Sequence, residues 1–194
     1  MKYNMKELTM DMDVTIVSPQ EARRERFAAI GISKAQFKNA IFKYYYLNDF
    51  FNSPSLRVCD LALLERGISP IRVGSSGKEE TIFTIHHIVP VHCGGKTVTS
   101  NLVPLPRAFH NFVHRYILDE QVKDVKIGTK MTIHGAPNFS KITLTMMEDP
   151  TFRLEYQKFL VDEYGIYPPR VKKIHRSRYD RKKWYNEYFR GLER

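Results

Sequence analysis

Five of the seven histidines in this 194-residue chain lie between positions 86 and 114. His86 and His87 are adjacent, His110 and His114 are four positions apart, and Asn101 lies between the two pairs. Histidine is the side chain that exchanges a proton near neutral pH, and its neutral ring is the commonest metal ligand in proteins. The spacing therefore predicts a metal centre with a further imidazole available for proton transfer, and is hard to explain by packing alone.

The adjacent pair follows a predicted strand. Residues Thr81–His86 alternate in the manner of a β-strand, in which successive side chains point to opposite faces. His86 and His87 therefore cannot both face one metal ion while the strand stays regular. We expect one of them to bind the ion and the other to face the substrate.

The second pair lies on a predicted helix, Arg107–Glu120. His110 and His114 occupy positions i and i+4, so their rings project from one stripe of the helix and can share a cation. A cation beside a neutral imidazole suits hydrolysis of a phosphodiester. The cation neutralises the scissile phosphate and the leaving oxygen, and the imidazole takes a proton from water.

The stretch from about Leu56 to Ile117 resembles the HNH nuclease family and its ββα-metal (His-Me finger) motif. It contains His-His-Ile-x-Pro, a Gly-Gly loop, Asn-Leu and His-x-x-x-His in the order of that family. The resemblance implies that His87 is the general base and that Asn101 pins the intervening loop through amide hydrogen bonds. It also implies an all-histidine set of metal ligands, similar to that of the nuclease colicins: His86, His110 and His114.

The chain departs from the family at the positions of a structural zinc. Many members carry two Cys-x-x-Cys pairs, and the aligned positions here are Asp60, Leu63, Pro106 and Phe109. We therefore expect no zinc knuckle. Leu63 and Phe109 are expected to pack together, so that apolar burial replaces the metal in joining the two halves.

A second departure concerns the substrate phosphate. The nuclease colicins place an arginine shortly before the His pair, whereas Glu79–Thr81 occupy that stretch here. The cationic contact must come from elsewhere, and the candidates from the sequence are Arg107, Arg115 and Lys96.

The resemblance implies one divalent metal ion per chain, and its identity (Mg, Mn, Ni or Zn) stays open. Imidazole nitrogens favour Zn, Ni, Co or Mn over Mg, although many family members work with Mg or Mn. His92, two residues beyond Pro90, is read as a solvated or hydrogen-bonding residue, since an open catalytic site needs vacant positions. Cys93 is expected to be inert.

Basic charge is concentrated at the end of the sequence. The net charge is +10, and residues 170–194 hold ten Lys/Arg against three Asp/Glu. This excess predicts a polyanionic partner, most simply nucleic acid, and the alternative is a solvated terminal arm. With aromatic residues at near-helical spacing, a helix is expected to contact phosphates through these side chains: Lys172, Lys173, Arg176, Arg178, Arg181, Lys182 and Lys183.

Periodicity and turn residues predict the remaining elements. Helices are expected over Glu21–Ile30, Lys34–Phe51, Leu56–Arg66 and Phe152–Tyr164, and strands over Val14–Val17, Leu102–Leu105 and a β-hairpin of Lys130–His134 with Lys141–Met146. The predicted fold class is α+β: a central ββα-metal motif with flanking helices and a β-hairpin. Phe27 to Ile41 also resembles a helix-turn-helix, although a plain helical hairpin packing on the core is the commoner arrangement.

Four regions follow from these patterns. They are a helical N-terminal region (1–54), a nuclease core (55–122), a β-hairpin with a helix (123–169) and the basic aromatic tail (170–194). No apolar run approaches the ~20 residues of a membrane span, and no signal-peptide core precedes Gln20, so a cytoplasmic protein without a membrane partner is expected.

The favoured hypothesis is a metal-dependent endonuclease that cleaves double-stranded DNA, of the phage or homing type. One centre cuts one strand, so a double-strand break needs a homodimer or a second event. Two alternatives stay open: a DNA-binding protein that keeps the fold without catalysis, and an RNase effector or toxin.

Overall fold

The computed structural model describes residues 2–26, 33–74 and 77–168. The helices are α1 (Met5–Leu8), α2 (Pro19–Arg26), α3 (Lys34–Leu47), α4 (Val58–Glu65), α5 (Arg107–Phe112), α6 (Asp119–Val122), α7 (Leu144–Glu148) and α8 (Pro150–Tyr164). The strands are β1 (Thr9–Thr15), β2 (Ile71–Val73), β3 (Glu79–Thr81), β4 (Phe83–His87), β5 (Leu102–Pro106) and β6 (Lys130–Pro137). A π-helical stretch, Val113–Leu118, joins α5 to α6, and short 3₁₀ turns lie at Val91–Cys93 and Thr99–Asn101.

The strands of the described chain form three antiparallel pairs, β1 with β6, β2 with β3, and β4 with β5. Mixed helices and small antiparallel sheets confirm the predicted α+β class. The pair β4–β5 followed directly by α5 is the predicted ββα unit, and its register places His86 opposite Val103 and His87 opposite Leu102. Most of the predicted helices and strands are present with shifted ends.

The predicted β-hairpin of Lys130–His134 with Lys141–Met146 is wrong. Strand β6 runs on through Pro137 and pairs with β1 near the other end of the sequence. The second half of the expected hairpin becomes α7, because the hydroxyl of Thr143 accepts a hydrogen bond from the backbone N–H of Met146 and caps the helix.

Two apolar clusters hold the fold together. The larger gathers α5, the π-helical stretch, β1, β6 and α8 around fully buried side chains that include Phe109, Ile117, Phe152 and Tyr156. Burial of side chains of this size contributes roughly 1.5–3 kcal/mol each relative to exposure. This cluster fixes the helix that carries the second pair of histidines.

The smaller cluster comprises Phe42, Phe51, Leu64, Phe83 and Leu144. It joins α3 and α4 to the start of β4, and the Tyr45 hydroxyl adds a 2.7 Å hydrogen bond to the carbonyl oxygen of Leu102 on β5. Helix α3 is therefore attached to the strand pair of the ββα unit.

The positions of the zinc knuckle are occupied differently from the expectation. Leu64, and not Leu63, is fully buried, and it lies in the smaller cluster while Phe109 lies in the larger one. Leu63 is not among the side chains that pack against the larger cluster, so the predicted contact between Leu63 and Phe109 is wrong. Buried Asp60 instead binds the guanidinium of Arg72, which lowers the pKa of its carboxyl group and links α4 to β2.

Two predicted regions lie wholly or partly outside the described residues: the basic tail at 170–194 and the turn of the candidate helix-turn-helix at 27–32. The second helix of the candidate helix-turn-helix is α3, which begins in a capping box formed by Ser33 and Gln36. Within the described chain, every helix is too short or too polar to cross a bilayer.

Candidate metal centre

Strand β4 delivers the adjacent histidines to different sides. His86 is only 1% exposed and points into the protein, whereas His87 is half-buried and lines a surface cavity. This is the separation that the alternation of a strand requires.

The helix that carries His110 and His114 changes its winding between them. His110 lies in α5, and His114 lies in the π-helical stretch that replaces the regular helix predicted over Arg107–Glu120. The two ring centroids are 4.8 Å apart, so the pair stays on one side of the helix. Single π-helical turns inside α-helices frequently occur at functional sites.

Three rings meet in the interior. The ring centroid of His86 lies 5.0 Å from that of His110 and 5.0 Å from that of His114. One nitrogen from each ring lies within 4.8 Å of the other two, and in the described chain this is the group of His, Cys, Asp or Glu side chains that could hold a metal ion. The strand and the helix thus bring together residues separated by 28 positions at most.

His86 shows why a metal ion fits this position. Neither of its ring nitrogens has a hydrogen-bond partner, although the side chain is buried. A buried unsatisfied polar group costs about 1–3 kcal/mol, so native proteins rarely leave one without a reason. Burial, together with the neighbouring rings, lowers the pKa of His86 well below its usual value, which keeps the ring in the neutral form that binds metals.

His110 is oriented by a side chain that the sequence did not single out, because its Nδ1 lies 2.7 Å from the Thr84 hydroxyl. A hydrogen bond at Nδ1 points to Nε2 as the ligand atom of His110, as is usual around metal-binding histidines. His114 Nδ1 lies 3.7 Å from a carboxylate oxygen of Asp119, which is beyond hydrogen-bond distance. Burial lowers the pKa of His110 to about 4, so this ring is also neutral near pH 7.

His87 is oriented by two hydrogen bonds in series, which connect it through Thr97 to helix α2. The Thr97 hydroxyl donates to the backbone carbonyl of Glu25 at 3.0 Å and lies 3.1 Å from His87 Nε2. A hydroxyl has one proton to donate, so Thr97 must accept from His87, and Nε2 carries the hydrogen. The lone pair of this ring is therefore on Nδ1, the atom that could accept a proton.

Asn101 closes the loop between β4 and β5. Its amide accepts from the backbone N–H of Val89 at 2.8 Å and donates to the carbonyl oxygens of Val89 at 2.9 Å and of Lys96 at 2.8 Å. Gly95 passes so close that a Cβ there would lie 1.8 Å from the Val89 oxygen. These contacts hold the loop in one conformation, as predicted for Asn101. The catalytic and metal-binding roles stay predictions for all five residues: His86, His87, Asn101, His110 and His114.

A cavity of about 390 Å³ opens onto the centre. Its walls include three of the histidines, His87, His110 and His114, and also His92. The residue predicted to be solvated or hydrogen-bonding therefore lies beside the site. Two residues of α3, Phe37 and Lys38, form the opposite wall. No sequence pattern predicts this wall, because α3 precedes the first histidine of the site by about fifty residues.

The three cations proposed for the phosphate lie elsewhere. Arg107 contacts Glu80 at 3.3 Å, and Lys96 contacts Glu25 at 3.1 Å. Arg115 lies over the ring of Tyr116. None of the three lines the cavity. The basic residues proposed in the tail, from Lys172 to Lys183, are outside the described residues.

A strand pair followed by a helix, with three histidines turned toward a common point, is the ββα-metal arrangement. Residues 74–114 match the model of the HNH endonuclease family, and no curated protein and no solved structure matches the chain. This segment is therefore an HNH endonuclease domain, which confirms the family predicted from the histidine spacing. HNH domains are typical of nucleases that use a divalent metal ion and act on nucleic acid.

Proposed function

We propose that this protein is a metal-dependent endonuclease that hydrolyses phosphodiester bonds in double-stranded DNA. The observation that carries the proposal is the buried His86 ring, which has no hydrogen-bond partner and lies beside His110 and His114. A buried imidazole without a hydrogen-bond partner is suited to bind a metal ion. The HNH domain match supports the nuclease class.

His86, His110 and His114 would hold the divalent ion. When bound, it supplies charge neutralisation at the scissile phosphate and at the leaving oxygen. Because burial keeps His86 and His110 neutral near pH 7, these ligands would not have to lose a proton before binding the ion there.

His87 would act as the general base. Its Nδ1 takes a proton from the attacking water, while Nε2–H donates to Thr97 and keeps the ring in one orientation. The water oxygen bonds to phosphorus, the bond to the 3′ oxygen breaks, and that oxygen takes a proton from solvent. The products carry 5′-phosphate and 3′-hydroxyl ends. Asn101 holds the loop that begins directly after this strand.

Supercoiled plasmid, incubated separately with Mg, Mn, Ni and Zn, tests the proposal. We expect nicking with at least one ion, loss of nicking with retained metal in His87→Ala, and loss of both in His110→Ala. Tight, salt-sensitive DNA binding without nicking under any ion would favour the non-catalytic alternative. Cleavage of RNA with DNA left intact would favour an RNase.

Three finer proposals concern the biological role, the oligomeric state and the location of the protein. A phage or homing-type role predicts cuts at few sites in a large mixed DNA substrate, and scattered cleavage would refute it. A homodimer that makes double-strand breaks predicts linear plasmid appearing together with the nicked form, with a rate that rises steeply with protein concentration. We place this activity in the cytoplasm.

A further inference from the structure

We infer that Lys38 on α3 binds a backbone phosphate of the substrate next to the metal centre. The inference rests on the proposed function and names a phosphate contact at a cavity that no lysine or arginine of the HNH segment lines. Lys38 lies well before residues 74–114, so this contact would be an addition made by the N-terminal region of this chain.

Position is the first argument. Lys38 is exposed and lines the cavity whose other wall is formed by His87, His110 and His114. A strand whose scissile phosphate reaches these histidines has to enter this cavity. The ammonium group of Lys38 therefore meets the scissile phosphate or a phosphate adjacent to it.

Charge is the second argument. None of the described residues that line the cavity is acidic, and Lys38 is the one lysine or arginine among them. Within the described chain Lys38 has no ion-pair partner, whereas the cations of Lys96 and Arg107 are held by Glu25 and Glu80. A cation that is not neutralised, in a concave site without carboxylates, attracts a polyanion.

Attachment is the third argument. The Tyr45 hydroxyl binds the Leu102 carbonyl at 2.7 Å, and Leu102 is paired with His87 across the sheet. Ile41 and Phe42, one turn beyond Lys38, are 2% and 4% exposed. The backbone of α3 is therefore fixed relative to the catalytic strand, and only the lysine stem has to adjust to the phosphate.

The chemistry favours a phosphate over a base. Lysine is a compact cation on a flexible stem, so it contacts phosphates as a point charge. Such contacts position the backbone and carry no sequence information. Lys38 is therefore expected to strengthen the binding of every DNA sequence alike.

Lys38→Ala tests the inference, with Lys43→Ala as the matched control. Lys43 is exposed on the same helix and does not line the cavity. DNA binding is measured as a function of salt in a His87→Ala background, where cleavage does not interfere, and nicking is measured in the otherwise unchanged protein.

We expect Lys38→Ala to weaken DNA binding about tenfold and to reduce the slope of log K against log salt by about one. Lys38→Arg should retain most of the binding, and Lys43→Ala should behave like the unchanged protein. Metal affinity and thermal stability should be the same in all of these variants.

Two results overturn the inference, and they differ. If the unchanged protein nicks DNA and Lys38→Ala binds and nicks equally well, or loses no more than Lys43→Ala, the assignment of Lys38 is wrong and the proposed function stands. If the unchanged protein neither binds nor nicks DNA with any ion, the proposed function fails and the inference fails with it.

Discussion

Replacing His86 by leucine should stabilise the metal-free protein. In the native fold both ring nitrogens are buried without a partner, and the side chain is 1% exposed. Each unsatisfied group costs about 1–3 kcal/mol, and leucine fills a similar space without any polar atom. Allowing for imperfect packing, we expect the free energy of unfolding to rise by about 2 kcal/mol, which corresponds to a rise in Tm of roughly 4–8 °C for a chain of this size.

The same substitution should abolish stabilisation by metal. Urea unfolding is measured with a chelator and again with excess Zn or Mn. An ion present at 100 times its Kd stabilises a native protein by about 2.7 kcal/mol, and His86→Leu should lose that gain. His134→Leu is the matched control, because His134 is half-exposed and contacts Asp11 on the surface. If His86→Leu is less stable than the unchanged protein in chelator, or keeps the metal effect, the reasoning about an unsatisfied ligand is refuted.

Three further predictions concern the surroundings of this ligand. Asn101→Ala removes three hydrogen bonds to the loop. It should lower the free energy of unfolding, measured by urea titration, by about 3 kcal/mol and should also lower the nicking rate. No change in either quantity would contradict the role of Asn101 in holding the loop. Protonation of His110 favours the unfolded chain, because its folded pKa is about 4 and its ordinary pKa is 6.5. His110 alone should therefore contribute a fall of about 3 kcal/mol in the free energy of unfolding between pH 6.5 and pH 4 in chelator, so the fall should be shallower in His110→Gln than in the unchanged protein. Because the Thr97 hydroxyl orients His87, Thr97→Val should lower kcat about tenfold with KM and metal affinity unchanged. Thr97→Ser keeps the hydroxyl and should have a kcat close to that of the unchanged protein. Equal effects of valine and serine on kcat would argue against that role.

The centre could be predicted from the sequence because its parts are local. Strand alternation separates His86 from His87, and a spacing of four positions brings His110 beside His114. All of these residues lie within one strand–loop–strand–helix unit. Few long-range contacts are needed to place them, so pattern and residue type were sufficient.

The surroundings depended on contacts between distant parts of the chain. Strand β6 pairs with β1, more than a hundred residues earlier, and its own sequence suited a local hairpin equally well. The capping role of Thr143 was hidden by an alternation of polar and apolar residues that also fits a strand. The approach of Lys38 to the cavity depends on the attachment of α3 by Tyr45, which no local pattern reveals.

The partners of the histidines were missed for a chemical reason. Thr84 and Thr97 are common, uncharged residues, and their importance comes from a single hydroxyl at hydrogen-bond distance from a ring nitrogen. The spacing of the histidines gives no information about these contacts. The geometry also supplies a tautomer for His87, which the sequence could not give.

X-ray absorption spectroscopy of the protein loaded with one equivalent of Zn or Co is the most direct test of the central claim. Three histidine nitrogens at about 2.0–2.1 Å, in a site that holds one ion per chain, are expected for Zn. His86→Leu and His110→Ala should each remove a nitrogen from that shell or abolish binding. A sulfur ligand from Cys93, or a shell unaffected by either substitution, would contradict the claim that these three rings form the metal centre.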